Sequence, residues 1–158
     1  MNFLTEHGIG SYEELESRLT AVSARRDTAY TEIKRIENRA AELTLVMKHA
    51  GTYRQLKPLY DRYRKSNDKE KFLRGHESEI ILFEAAAREL KRLGAVPLPT
   101  TKSMKTELAN LNAEKERLLA EYKAARTEAQ EYDTVKQNVD ALLTVPKEQV
   151  QKQVNELE

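Results

Sequence analysis

Apolar residues return along this chain at a fixed step. The positions Leu15, Leu19, Val22, Arg26, Ala29, Ile33, Ile36, Ala40, Leu43, Met47 and Ala50 alternate steps of four and three, and only Arg26 breaks the apolar set. A repeat of 3.5 residues keeps one stripe of an α-helix turned toward a partner, which is the pattern of a coiled-coil seam. A helix over 12–50 would be about 58 Å long at about 1.5 Å per residue. A second seam runs through Met104, Leu108, Leu111, Lys115, Leu118, Tyr122, Ala125, Ala129, Tyr132, Lys136, Val139 and Leu143, with Lys115 and Lys136 as its polar exceptions. Two helices of matching length in one chain predict an antiparallel hairpin. In that pairing Leu15 lies near Leu143 and Ala50 near Met104, and Arg26 is answered by Glu128 or Glu131. The same seams could equally pair between two molecules.

Local signals set the expected boundaries. Ser11 followed by Glu14 is a capping box: the Ser11 hydroxyl accepts from the Glu14 amide, and the Glu14 carboxylate reaches back to the Ser11 amide. Residues 1–10 then read as the end of a preceding helix, closed by Gly8, and a turn. Residues 11–50 form the first arm. Pro97 and Pro99 exclude helix, and Thr100 or Thr101 caps a second arm over 97–145. Pro146 ends or kinks it and leaves 146–158 as a polar, flexible tail.

The middle, 51–96, reads as a small helical head. The stripe shifts phase to Tyr53, Leu56, Tyr60 and Tyr63, with a kink expected at Pro58. Ser66-Asn67-Asp68 is a break and a new cap. A short turn over 69–74 stops at Gly75, and a helix over 79–93 with a broadly apolar face closes at Gly94. No sustained period-two run of β-branched residues occurs, so the expected fold is all-α: a long antiparallel coiled-coil hairpin with a helical head between its arms.

Composition narrows the chemistry. The chain has 158 residues, no Cys and no Trp, and 34% of its residues are charged. Without cysteine there is no disulfide framework, zinc finger, iron–sulfur cluster or thiol nucleophile. No run of about 18 apolar residues offers a membrane span. The N-terminal residues lack the basic and apolar regions of a signal peptide, so a cytoplasmic protein with no membrane insertion is expected. The three histidines, His7, His49 and His76, stand apart in the sequence. No metal or cofactor is expected. The pair Gly8 and Gly10 lacks the third glycine and the preceding strand of a dinucleotide loop. No nucleophile, base and oxyanion donor can be assembled, so no catalytic residue is assigned.

Charge is sorted along the chain although the net is only +1. Residues 48–75 hold nine Lys or Arg and three acids, a net of +6, between slightly acidic arms. Here basic residues alternate with aromatics: Arg54, Lys57, Arg62, Tyr63, Arg64, Lys65, Lys69, Lys71 and Arg74 are the candidate residues for binding nucleic acid or a partner. Cations neutralise phosphates and aromatic rings stack on bases. Helical spacing also explains the tyrosines as a packing stripe and the charges as a solvated face, and that is the simpler reading.

Three stretches carry a family resemblance: FLTEHGIGSYEELESRL from Phe3, YDRYRKSNDKEKFLRGHESEIILFEAAARELKRL from Tyr60, and LPTTKSMKTELANLNAEKERLLAEYKAARTEAQEYDTVKQNVDALL from Leu98. Together they resemble the C-terminal region of relaxase/mobilization nucleases of conjugative transposons from Gram-positive gut bacteria. The most specific pieces run from Tyr63-Arg64-Lys65-Ser66 through Lys71-Phe72 to His76–Ile80, with Asn138-Val139-Asp140 near the end. In that family a separate N-terminal domain nicks DNA with a catalytic tyrosine and a histidine-rich metal site. Neither motif occurs here, so Tyr12, Tyr30 and Tyr53 are not read as the nucleophile. The resemblance implies a non-catalytic C-terminal piece of a bacterial DNA-mobilization protein. Its implied partners are DNA near the transfer origin, a coupling protein, accessory mobilization proteins or a second copy of itself. The rival expectation is a coiled-coil spacer or dimerisation element that touches no nucleic acid.

Overall fold

The computed structural model describes the backbone of residues 10–157 and side chains as far as Leu143. Among these residues the chain is all-helical, with no strand. Three helices follow in order: α1 (Tyr12–Lys65), α2 (Lys69–Arg92) and α3 (Thr101–Leu157). No helix among the described residues is long and apolar enough to cross a membrane. The helix end expected over residues 2–7, with its stop at Gly8, lies outside them.

Helix α1 begins at its cap. Ser11 Oγ accepts from the Glu14 amide at 3.1 Å. The returning Glu14 carboxylate takes the Gly10 amide at 3.0 Å, not that of Ser11. It thereby satisfies a donor one residue further out and is also held by Arg18 at 3.0 Å. The helix then runs unbroken past Gly51 and through Pro58. Proline removes one amide donor, but Tyr53 before it and Tyr60 after it both stack on Phe83 of α2. Packing on both sides of the proline offsets the lost bond.

Helix α2 starts where Asp68 Oδ1 accepts from the Lys71 amide at 3.0 Å. The two helices expected over 69–74 and 79–93 are joined in one, with a break in helical geometry at His76 (φ −137°, ψ 26°) rather than a stop at Gly75. Its far end is a Schellman motif. The Gly94 amide donates to Lys91 O and the Ala95 amide to Leu90 O, with Gly94 at φ +70°. The link to α3 includes a cis Val96–Pro97 peptide. Thr100 caps α3, accepting from the Ser103 amide at 3.1 Å. The helix continues through Pro146 to Leu157, so of the end or kink expected at Pro146 the end is corrected. The Lys, Glu and Gln residues beyond it are good helix formers that carry the turn onward.

Burial follows the seams with a refinement. In α1 the residues Leu15, Val22, Ala29, Ile36, Leu43 and Ala50, spaced by seven, are all at most 5% exposed. In α3 the column Met104, Leu111, Leu118, Ala125 and Tyr132 is equally buried in kind. The interleaved columns are shallower apart from Ile33 and Ala129, and all three polar exceptions fall there: Arg26, Lys115 and Lys136 are each half-buried. A long basic side chain can lay its stem along such a position and keep its charge wet.

The chain divides into two compact units, one built from residues up to Ile33 and from Glu116 onward, the other from Lys34–Lys115. In the first, Leu15 and Val22 of α1 cluster with Ala125, Ala129 and Tyr132 of α3. Tyr12 donates to Asp140 Oδ1 at 2.6 Å, Lys136 meets Glu16 at 3.8 Å, and Arg25 meets Glu128 at 3.8 Å. Two expectations are corrected here. Leu15 packs with Tyr132, while Leu143 is 61% exposed. The Tyr12–Asp140 bond fixes the stagger, more than a helical turn short of the expected one. Glu128 is met by Arg25, and Arg26 pairs with its neighbour Asp27 at 3.0 Å. In the second unit Lys115 meets Glu37 at 3.4 Å, and Arg39 meets Glu107.

Candidate nucleic-acid interface

The candidate residues lie on the last turns of α1 and the first turns of α2, all within the second unit. The aromatic residues among them form a packed ladder. Phe83 stacks with Tyr53 (centroids 4.8 Å apart) and with Tyr60 (4.3 Å). Tyr60 meets Tyr63 at 5.8 Å, Tyr63 meets Phe72 at 6.0 Å, and Phe72 meets His76 at 4.7 Å. This ladder closes the head: Phe83 is 6% exposed, and the tyrosines are half-buried. Tyr63 is thus a packing residue with a solvent-facing edge.

The cations divide into two groups. Arg54 is engaged in the fold, its guanidinium donating to Thr101 Oγ1 at 2.9 Å and to Pro99 O, where it holds the start of α3. Lys57 is paired with Asp61 at 3.2 Å, one turn on. Arg62 lies 5.7 Å from the centre of the Phe72 ring, a cation–π contact. The other five, Arg64, Lys65, Lys69, Lys71 and Arg74, are exposed. None of the five has an acid at ion-pair distance among the described residues. The structure therefore brings five of the nine candidates together as unanswered charge around the turn between α1 and α2. Arg62, Arg64 and Lys65 also occupy the last turn of α1, where a cation favourably faces the helix's terminal carbonyls.

Sequence reasoning missed what α2 adds opposite this surface. A groove of about 490 Å³ runs between the helices, lined by Tyr53, Tyr60 and Arg64 of α1 and by Phe83, Ala87 and Arg88 of α2. Lys57, Asp61 and Glu84 complete its rim. The signal was present: Phe83, Glu84, Ala87 and Arg88 fall on one helical face. Phe83 and Ala87 belong to the broadly apolar face expected over 79–93, and Arg88 lies outside the basic stretch 48–75. Further along α2, Arg92 bonds the Glu89 carboxylate at 2.7 Å and holds it below the ordinary carboxylate range.

Among the described residues no three His, Asp or Glu side chains come together to hold a metal ion. His76 Nδ1 stands 3.7 Å from Glu79, a pair too small for a site. What the arrangement offers chemically is binding by charge and by ring surface. No family model matches the sequence, and no curated protein or solved structure matches it either.

Proposed function

We propose that this chain is a non-catalytic helical module of a DNA relaxase/mobilization protein, whose basic head contacts DNA during conjugative transfer. The observation that carries the reading is the set of five exposed, unanswered cations at the turn between α1 and α2. The resemblance in sequence supplies the biological setting: a bacterial cytoplasmic protein that meets DNA near a transfer origin, a coupling protein or accessory mobilization proteins. In this reading nicking belongs to another domain, and no residue here acts on a bond.

The long helices serve as arms, pairing as an antiparallel coiled-coil hairpin that presents the head. The seven-residue burial columns support this pairing. So does the order of the contacts within the first unit, where α3 numbers fall from 140 to 128 as α1 numbers rise from 12 to 25. A rival reading, a structural spacer or homodimerisation element, is favoured by the aromatic ladder, which employs the tyrosines in packing.

Salt titration decides between them. Each phosphate contact contributes about −0.7 to −0.9 to the slope of log K against log salt. Reversing Arg64, Lys65 and Lys69 to Glu should flatten that slope by about 2 to 3. A protein that binds no DNA at 50 mM salt, or a slope unchanged by the triple reversal, would leave the spacer reading standing.

A further inference from the structure

The groove between α1 and α2 combines three properties that a solvated packing face does not need. Its wall is aromatic: Tyr53 and Tyr60 are half-buried, so part of each ring is open to the groove. Neither phenol hydroxyl bonds another side chain among the described residues. Its opposite wall is small, because Ala87 stands where a larger residue would fill the space. Its rim is cationic after internal pairing is counted. Lys57 is taken up by Asp61, leaving Arg64 and Arg88 against Glu84. At about 490 Å³ the groove falls inside the range of about 300–1,000 Å³ usual for small-ligand sites.

We infer that this groove is a pocket for an unpaired nucleobase of single-stranded DNA, seated against Tyr53 and Tyr60 with its phosphate at Arg64 and Arg88. The inference rests on the DNA-binding reading and names the form of DNA that the head would take. A base inside a duplex is stacked on both faces and cannot enter, whereas a base in a single strand has its ring face free. Glu84 at the rim can accept a hydrogen bond from a ring N–H such as thymine N3–H, and the phenol hydroxyls can donate to ring carbonyls. The groove also adjoins the five exposed cations through Arg64, so a strand leaving the pocket passes directly onto unanswered positive charge.

An abasic oligonucleotide separates the groove from the electrostatic surface, since it keeps the phosphates and loses the rings. The full chain should bind a single-stranded dT8 about tenfold more tightly than the abasic octamer of equal charge. Ala87→Leu, which fills the groove, should erase that preference and leave abasic affinity unchanged. Ala87→Val, a smaller filling of the same groove, should reduce the preference and guards against a leucine variant that fails to fold. Equal binding of the two strands by the wild-type chain would overturn the pocket while sparing the DNA-binding reading. So would a preference that survives both substitutions. If neither strand binds at low salt, the broader reading falls, and the pocket is judged alone by titration with thymidine 5′-monophosphate. Ring signals of Tyr53 and Tyr60 that do not move would then overturn it. An acidic peptide that competes as well as dT8 would overturn it in favour of a protein partner.

Discussion

Arg39 of α1 holds Glu107 of α3 through two hydrogen bonds, Nε to Oε1 at 2.8 Å and Nη2 to Oε2 at 3.2 Å. Glu42, one turn along α1, adds a third contact to the same guanidinium at 3.2 Å. These bonds push the Arg39 pKa further above its ordinary value, the Glu107 bond most of all. A two-pronged pair of this kind is the sort of surface ion pair that measurably stabilises a fold.

Arg39→Lys keeps the charge and loses the fork. It should lower stability by about 0.5–1 kcal/mol, because an ammonium cannot make two parallel bonds to one carboxylate. Urea melts at 50 mM and 1 M salt provide the check. The wild-type advantage should shrink at 1 M, where the screening length falls to about 3 Å.

Two exposed glycines should respond in opposite directions to alanine. Gly51 lies inside α1, and a Cβ there would meet nothing within 4 Å. Gly51→Ala should raise stability by about 1 kcal/mol, the difference in helix preference. Gly94 also has open space around it, but its φ is +70°. Gly94→Ala should therefore cost about 1–2 kcal/mol from backbone strain alone. Thermal melts of the pair isolate backbone conformation from packing, since neither change adds a clash.

Acid should loosen both units through depressed carboxylates. The Gly10 amide, and after it Arg18, holds Glu14 below the ordinary carboxylate range; Lys34 and Lys115 do the same for Glu37. A group whose pKa is lower folded than unfolded contributes stability above its unfolded value, near about 4.3, and loses it as pH falls through the folded value. Stability should fall from about pH 5 downward. NMR titration should place the Glu14 and Glu37 midpoints below those of unperturbed glutamates, and midpoints at or above them would contradict the contacts.

Alkali tests the opposite sign at Tyr12. Its bond to Asp140, aided by Glu16, raises the phenol pKa above the ordinary tyrosine range. The contribution is complete below about pH 10 and is lost as pH rises through the folded value. Phenolate absorbance should therefore lose a late-titrating component in Tyr12→Phe.

Much of the fold was legible in the sequence because burial here repeats every seven residues. Leu15, Val22 and Ile36 announce α1 by spacing alone, and Ser11, Asp68, Thr100 and Gly94 mark helix ends through their own hydrogen bonds. The stagger was not legible. Heptads match at several offsets, and contacts between α1 and α3 such as Tyr12–Asp140 and Arg25–Glu128 choose among them. At Pro58 the sequence pointed to a kink, and the stacking of Tyr53 and Tyr60 on Phe83 that carries the helix past it is tertiary. In the candidate site the basic cluster was visible as composition. The engagement of Arg54 depends on neighbours distant in sequence, Pro99 and Thr101, whereas Lys57 is taken up by Asp61 one turn along its own helix. The groove needed Ala87 and Arg88 from α2, which no spacing along α1 could reveal.

The half-buried column that admits Lys115 and Lys136 does more than tolerate charge. Lys136 meets Glu16 in one unit, and Lys115 meets Glu37 in the other. Slide the partner stretch by one heptad in either direction and most apolar contacts could be remade, because the repeat is the same. Lys136 would then face Ile9 or Ser23 in place of Glu16, and Lys115 would face Tyr30 or Thr44 in place of Glu37. Each cation would lose its acid. Ion pairs as exposed as these add little to stability, yet they work as the teeth of a ratchet, refusing the shifted alignments that a purely greasy stripe would accept.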